Sequence, residues 1–462
     1  MPAWAQGHAT HQMKGGAPIR VGFDQISGDV IDLTVGHGPR TVQGRKGLGV
    51  AVNGSVPGPL IRLKEGQNVR LNVTNQLAED TSIHWHGLLL PFHMDGVPGI
   101  SFPGIKPGQT FTYEFPIRQS GTYWYHSHSG LQEQLGHYGP IVIDPAGADP
   151  VAYDREHVVV LSDHSELSPE AIFRKMKVNP GHFNMQRQTL SGLLAGKDQS
   201  LKERAEWGAM RMDPTDIADV NGSTYQFLVN GYGPRDNWTA LFNPGERVRL
   251  RIVNASAMTI FNIRIPGLRM TVVQADGLNV RPVTVDEFQI GTAETYDVVV
   301  TPQDRAYSFV SEASDRSGLG RATLAPREGM SAPVPPLRPR PLLTMKDMGM
   351  GDMAAPGADA STADHAAMGH AMPGMDHGSM KMRDPAVAPQ VKMGPGVATL
   401  SPMPMDRTGE RPTGLEKVGH RVLTYRDLAI TIAAKARHDD AVERALRDNV
   451  RLRNSVPVEQ CP

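Results

Sequence analysis

The feature that most constrains the fold is an internal copy of one alternating segment. Gly66, Val69, Arg70, Leu71 and Asn75 recur at one constant offset as Gly245, Val248, Arg249, Leu250 and Asn254, with Val73 matched by Ile252. Upstream, Val52-Asn53-Gly54 pairs with Val229-Asn230-Gly231, and downstream Tyr113-Glu114 pairs with Tyr296-Asp297. In both copies apolar and polar residues alternate at period two, the signature of a half-buried strand. The spacing predicts a duplicated β-sandwich, with repeats near 20–145 and 150–325. The 48 Gly and 37 Pro of the 462 residues suit short strands and many turns.

Composition removes several function classes. Lys plus Arg is 47 against 48 Asp plus Glu, a net charge of -1, so no global basic field draws in nucleic acid and no nucleic-acid partner is expected. The single Cys, Cys461, excludes a disulfide framework and cysteine-built zinc modules. No apolar run approaches the roughly 18 residues of a membrane span.

After about residue 325 the composition changes. Pro333-Val334-Pro335-Pro336 leads into a stretch rich in Met, Gly, Ala, Asp and His, carrying Met345, Met348, Met350, Met353, His365, Met368, His370, Met372, Met375, His377, Met380 and Met382. With few branched or aromatic residues it cannot bury enough surface to offset chain entropy, so 331–410 is expected to be a disordered Met/His-rich linker. Thioethers select Cu(I), and a flexible segment can gather several around one ion; the bland alternative is an inert low-complexity linker. Residues 420–428 look strand-like, and from about 429 the spacing turns helical.

The densest chemistry lies in the first repeat, as His84-Trp85-His86-Gly87 and, about forty residues on, Trp124-Tyr125-His126-Ser127-His128. In a strand, residues i and i+2 share a face, so each motif presents two imidazoles to one side. Four converging imidazoles suit copper, zinc, iron or nickel, with copper favoured by intrinsic affinity. The duplication supplies a control: His84 and His86 fall on Ile263 and Ile265, and His126 and His128 on Val310 and Glu312, so the second repeat keeps the scaffold without the ligands. Asp95, in M-D-G-V-P-G, either relays protons toward the cluster or caps a turn. His93 and His137 are expected at the surface, and His8 and His11 in a disordered arm.

The runs T-S-I-H-W-H-G, M-D-G-V-P-G and G-T-Y-W-Y-H-S-H-S-G, with Q-A-D-G-L-N-V-R-P-V-T-V-D-E-F-Q-I-G-T-A-E-T-Y-D-V in the second repeat, resemble multicopper oxidases of the bacterial copper resistance protein A type over about residues 18–428. The resemblance implies an all-β chain of tandem cupredoxin-like Greek-key β-sandwiches. On this reading residues 1–17 form an N-terminal arm with the remnant of an export signal, 18–147 the copper-binding cupredoxin domain, 148–330 a second domain without ligands, 331–410 the linker, and 411–462 a truncated start of a third cupredoxin domain with an atypical tail. It also implies a periplasmic location, against the alternative that the A-x-A of Ala3-Trp4-Ala5 is chance. His84 would match a type-2 copper ligand, and His86, His126 and His128 ligands of the type-3 pair. The family's other four cluster histidines, and the H-C-H cysteine of its type-1 copper, lie in the third domain. Here only His438 and Cys461 follow the H-R-V-L-T-Y-R-D-L run at 420–428, and Cys461 stands between Gln460 and Pro462, so type-1 ligands are absent from the sequence. The tail at 429–462 reads either as a natural helix or as an out-of-frame stretch.

The function so implied is oxidation of Cu(I) or a phenolic reductant with reduction of oxygen to water. The alternative is a periplasmic protein that binds and sequesters copper without turnover. The expected partners are copper ions, a small-molecule reductant and oxygen, with self-association through an uncovered face of the first domain.

Overall fold

The structure, a computed structural model, describes residues 22–196, 199–209, 211–217, 222–344 and 406–455, with Asp347, Ala386, Pro389 and Val391 singly. His8, His11, Cys461 and every Met and His expected to capture Cu(I) between 345 and 382 lie outside the described residues.

The first sandwich comprises β1 (Gln25–Ser27), β2 (Val30–Val42), β3 (Arg45–Val52), β4 (Leu60–Lys64), β5 (Asn68–Asn75), β6 (His84–His86), β7 (Thr110–Pro116), β8 (Gly121–His126) and β9 (Tyr138–Asp144), with a one-turn helix α1 (Gln132–Leu135) before β9. A four-stranded sheet, β3-β2-β5-β7, faces a five-stranded sheet, β1-β4-β9-β8-β6. Parallel pairs β1·β4, β4·β9 and β2·β5, beside the antiparallel ones, show the crossovers of a Greek key. In β5 the alternation is realised as expected: Val69, Leu71 and Val73 enter the core while Arg70 faces solvent.

The second sandwich follows the same plan with β10 (Arg155–His164), β11 (Gln226–Val229), β12 (Trp238–Leu241), β13 (Val248–Asn254), β14 (Phe261–Arg264), β15 (Met270–Ala275), β16 (Leu278–Val285), β17 (Glu287–Ile290), β18 (Thr295–Val300), β19 (Tyr307–Ala313) and β20 (Leu319–Ala325). Its sheets are β11-β10-β13-β18-β15-β16 and β12-β20-β19-β14-β17. Helices α2 (Pro169–Val178), α3 (Leu190–Leu194) and α4 (Leu201–Ala209) fill the connection between β10 and β11.

The copied strand departs from the half-buried expectation. All of β13 is buried, because its outward face is the contact between the sandwiches. There Leu60, Trp124, Tyr138 and Val142 of the first domain pack against Val158, Val160, Val253 and Ala255 of the second. Arg249 and Arg251, each 1% exposed, are neutralised in this layer. Arg249 Nη1 donates to Asp149 at 2.8 Å, Arg251 Nε to Glu156 at 2.8 Å, and both guanidiniums to Asp297. Glu156 also receives Arg62, and Arg251 Nη1 reaches Thr122 Oγ1 at 3.0 Å, so one ion network ties the two sandwiches together. The pairing register moves one match of the repeat: Tyr113 stands opposite Leu71, whereas Tyr296 stands opposite Ile252, two positions further along the copied strand.

Beyond the sandwiches two expectations change. Residues 331–344 of the expected linker are seated on the second domain: Ala332 accepts from Ser308 Oγ at 3.0 Å, Leu343 N donates to Pro214 at 2.7 Å, and Arg338 bridges the fully buried Glu287 and Glu312. Residues 420–428 form no strand. They touch the β17 edge through a single bridge, Glu287 with Val422, and then make one 3-10 turn at Tyr425–Asp427. The chain continues as α5 (Ile432–Ser455), whose buried stripe is Ala434, Ala441 and Ala445. This helix starts beside the second domain, where Thr431 N donates to Asn279, and reaches the first, where Arg118 pairs with Asp448 and Phe92 N donates to Asn449.

Candidate metal centre

The pairing of β6 with β8 puts His84 directly opposite His126 and His86 opposite Trp124. His128, two residues past His126, leaves the strand end on the same side. Three ring nitrogens, one each from His84, His126 and His128, lie within 4.8 Å of one another. His86 completes the set: its Nδ1 faces His126 Nε2 at 3.2 Å. That separation matches the edge of a tetrahedron built on metal–nitrogen bonds of about 2.0 Å, roughly 3.3 Å.

The outer nitrogens are fixed. His84 Nδ1 donates to the Asp95 carbonyl oxygen at 2.7 Å, and His126 Nδ1 donates to Glu133 Oε2 at 2.9 Å, which leaves each Nε2 free on the inner side. Asp95 thus reaches the centre chiefly through its backbone, its carboxylate standing 3.4 Å from His84 Nδ1. The approach of that loop requires glycine at 96, which sits at φ +81°; a Cβ there would lie 1.8 Å from the Ile83 carbonyl oxygen. Trp124 backs the site, stacked on the His126 ring at 4.0 Å and 11°.

Electrostatics favour neutral imidazoles. Burial, then the neighbouring rings, pushes His86 down to about 3, and burial with His84 does the same for His126. His128 is lowered too, chiefly by burial, although it is the most open of the four. Burial raises Glu133 to about 7. Neutral imidazole is the metal-binding form, so His86, His126 and His128 offer lone pairs without a proton to displace. The donor set, all nitrogen and no thiolate, fits copper.

Two neighbours escape sequence reasoning. Glu133 carries no periodic or motif signal beyond its closeness to H-S-H. His137, expected at the surface, is fully buried behind α1, its Nδ1 3.5 Å from Thr81 Oγ1; His93 is exposed as expected. In the second sandwich the register sets Ser311 opposite Ile263, so the counterpart of His126 is Ser311 and not Val310, because that copy carries one extra residue after its Tyr. No imidazole stands at these positions of the second copy.

Comparison with known proteins places these observations in a family. Models of the multicopper oxidase family match residues 34–148 and 177–328. The chain is 52% identical over 370 residues to copper resistance protein A of Escherichia coli, covering 79% of this chain and 60% of that protein. It is 46% identical over 437 residues to a copper resistance protein A homolog of Pseudomonas syringae pv. tomato, covering 88% and 72%. The chain therefore spans less than two thirds of the Escherichia coli protein's length. Among solved structures, a laccase from Botrytis aclada aligns with a TM-score of 0.51 at 25% identity over 69% of this chain and 56% of its own. The blue copper oxidase of Nitrosomonas europaea shares the fold, with a TM-score of 0.50 at 24% identity, over 64% and 85%.

Proposed function

Because this chain belongs to the multicopper oxidase family, in its copper resistance protein A branch, we propose that it serves a periplasmic copper resistance system as an oxidase. Its substrates are Cu(I) or phenolic reductants, and the electrons taken from them reduce oxygen to water. The observation that carries this reading is the convergence of four imidazoles, His84, His86, His126 and His128, on one side of the first sandwich. Copper, when bound, supplies acceptance and release of single electrons.

The chain's own residues do the rest. His84 and His126 are held in the tautomer that turns Nε2 inward, by the Asp95 carbonyl and by Glu133. Trp124 and the second sandwich keep water from the rear of the centre, while the exposed His128 leaves the front open to small reactants. A Glu133 raised to about 7 can hold or release a proton near neutrality next to His126, and the Asp95 carboxylate offers a second station beside His84. The Met and His positions between 345 and 382 gather Cu(I) for the oxidase. Phe92 and Ile100, either side of Asp95 in the chain, are 57% and 71% exposed and supply the surface for self-association, which a single monomer peak on size-exclusion chromatography would contradict.

Three preparations test this reading: the full chain, His126→Ala, and a form lacking 348–405, each loaded with copper and analysed for bound metal and for oxygen uptake with Cu(I). We expect copper lost from the centre in His126→Ala and Cu(I) capacity lost in the deletion. Copper retained by the full chain with no oxygen uptake and no intense blue thiolate band transfers the function to copper sequestration. Equal copper in the full chain and His126→Ala removes the centre itself.

A further inference from the structure

The interface between the sandwiches holds a second polar site, separate from the histidine centre. A cavity of about 260 Å³ opens between the β2–β3 hairpin of the first domain and residues 164–169 of the second. Arg40, Arg45 and Lys46 line it from the hairpin, and Ser168 and Pro169 line it where α2 begins. Its one carboxylate, Glu166, meets Arg45 at 3.3 Å in a pair whose side chains are 72% and 53% exposed, a contact of little strength.

Arg40 distinguishes this cavity from a chance cleft. Its residue is 7% exposed, yet neither Nε nor Nη2 has a hydrogen-bond acceptor, and no carboxylate pairs with it among the described residues. Arg249 and Arg251, buried more deeply still between the sandwiches, each hold carboxylates. A buried guanidinium left without an acceptor is costly unless a ligand supplies one. The surroundings agree in sign. His164, which also lines the cavity, is held neutral, its value pushed down to about 4 by burial and then by the Arg40 charge, and the first turn of α2 turns its positive end toward Ser168.

We propose that this interdomain cavity binds a small oxyanion, a phosphate or carboxylate group, gripped at its closed end by the Arg40 guanidinium and held at its mouth by Lys46 and Arg45. Arg40 lines the cavity, and a guanidinium pairs with either group through charge-assisted hydrogen bonds. The site lies directly behind the metal centre: Gln134 and Leu135 line the cavity, and the preceding residue of the same one-turn helix, Glu133, accepts the His126 hydrogen bond.

Thermal melts and calorimetric titrations of the full chain test this, with inorganic phosphate and, separately, succinate, against sodium chloride at matched ionic strength. We expect saturable stabilisation by phosphate, by succinate or by both, absent in Arg40→Gln and weakened about tenfold in Lys46→Glu. Lys46 is exposed on the hairpin, so its variant keeps the test decisive if Arg40→Gln fails to fold. Phosphate alone identifies a phosphate site, succinate alone a carboxylate site, and both a site for the shared oxyanion. No stabilisation beyond chloride, or an unchanged response in Lys46→Glu, overturns the proposal.

Discussion

Replacing His137 by Gln should make the protein measurably less sensitive to acid, by an amount set by burial. His137 is fully buried behind the metal centre, and burial, reinforced by the nearby His126, pushes its folded-state value down to about 3. In the unfolded chain the same imidazole titrates near 6.5. As pH falls the unfolded state takes up the proton first, so the contribution of this residue is whole above about pH 6.5 and is lost progressively toward pH 3. At pH 5 the unfolded imidazole is almost wholly protonated and the folded one almost wholly neutral, which costs the folded state about 2 kcal/mol relative to pH 8. The limiting slope is about 1.4 kcal/mol per pH unit, one proton's worth. Gln keeps polar atoms for the buried site but cannot titrate, so its constant effect on stability cancels when each protein is compared with itself. Guanidinium denaturation followed by tryptophan fluorescence, at pH 8, 6 and 5, reads the difference. Between pH 8 and pH 5 the wild type should lose about 2 kcal/mol more than His137→Gln. Equal losses would refute the reasoning, since the buried imidazole would then be titrating as it does in the unfolded chain.

Three further outcomes follow from the geometry. Gly96→Ala forces a side chain into a φ +81° position against the Ile83 carbonyl, so melts should show a loss of about 1–3 kcal/mol or more, and copper at the centre should weaken as the Asp95 loop withdraws from His84. Asp297→Ala removes the buried carboxylate that Arg249 and Arg251 share, leaving them Asp149 and Glu156 alone, and should cost up to about 3–5 kcal/mol in denaturant titrations, whereas replacing all three residues by Leu or Met should recover most of it. Glu133→Gln should leave the fold intact but reduce copper affinity about 10-fold or more, read by competition with a chelator, because the His126 Nδ1–H would lose its carboxylate acceptor.

What the sequence discloses of this protein divides along the reach of each signal. Period-two alternation is local, so both sandwiches and the exclusive presence of H-x-H in the first were legible from residues a few positions apart. The burial of Arg249, Arg251 and His137 depends on a neighbouring layer rather than on the residue's own strand, and here the same alternation that placed Arg70 in solvent misplaced its copy. Residues 331–344 read as linker because they are Pro-rich and lead into a stretch with few branched or aromatic residues. They are held instead by Arg338 between two buried carboxylates, a contact across strands that composition does not encode.

The metal centre repeats this division at smaller scale. The candidate ligands are imidazoles at strand spacing, so they declare themselves. The groups that orient the ligands are less constrained in kind: a carboxylate reaches His126 from a one-turn helix, and a backbone carbonyl, which any residue could supply, reaches His84. A carbonyl leaves no trace in a sequence, but the conformation that delivers it does. Only a residue without a Cβ can occupy φ +81° where a Cβ would lie 1.8 Å from the Ile83 carbonyl oxygen, so the glycine of M-D-G-V-P-G is the written record of the hydrogen bond that orients His84 within the cluster. The acidic residue before it drew the functional reading at the sequence level; the glycine is the more constrained of the two.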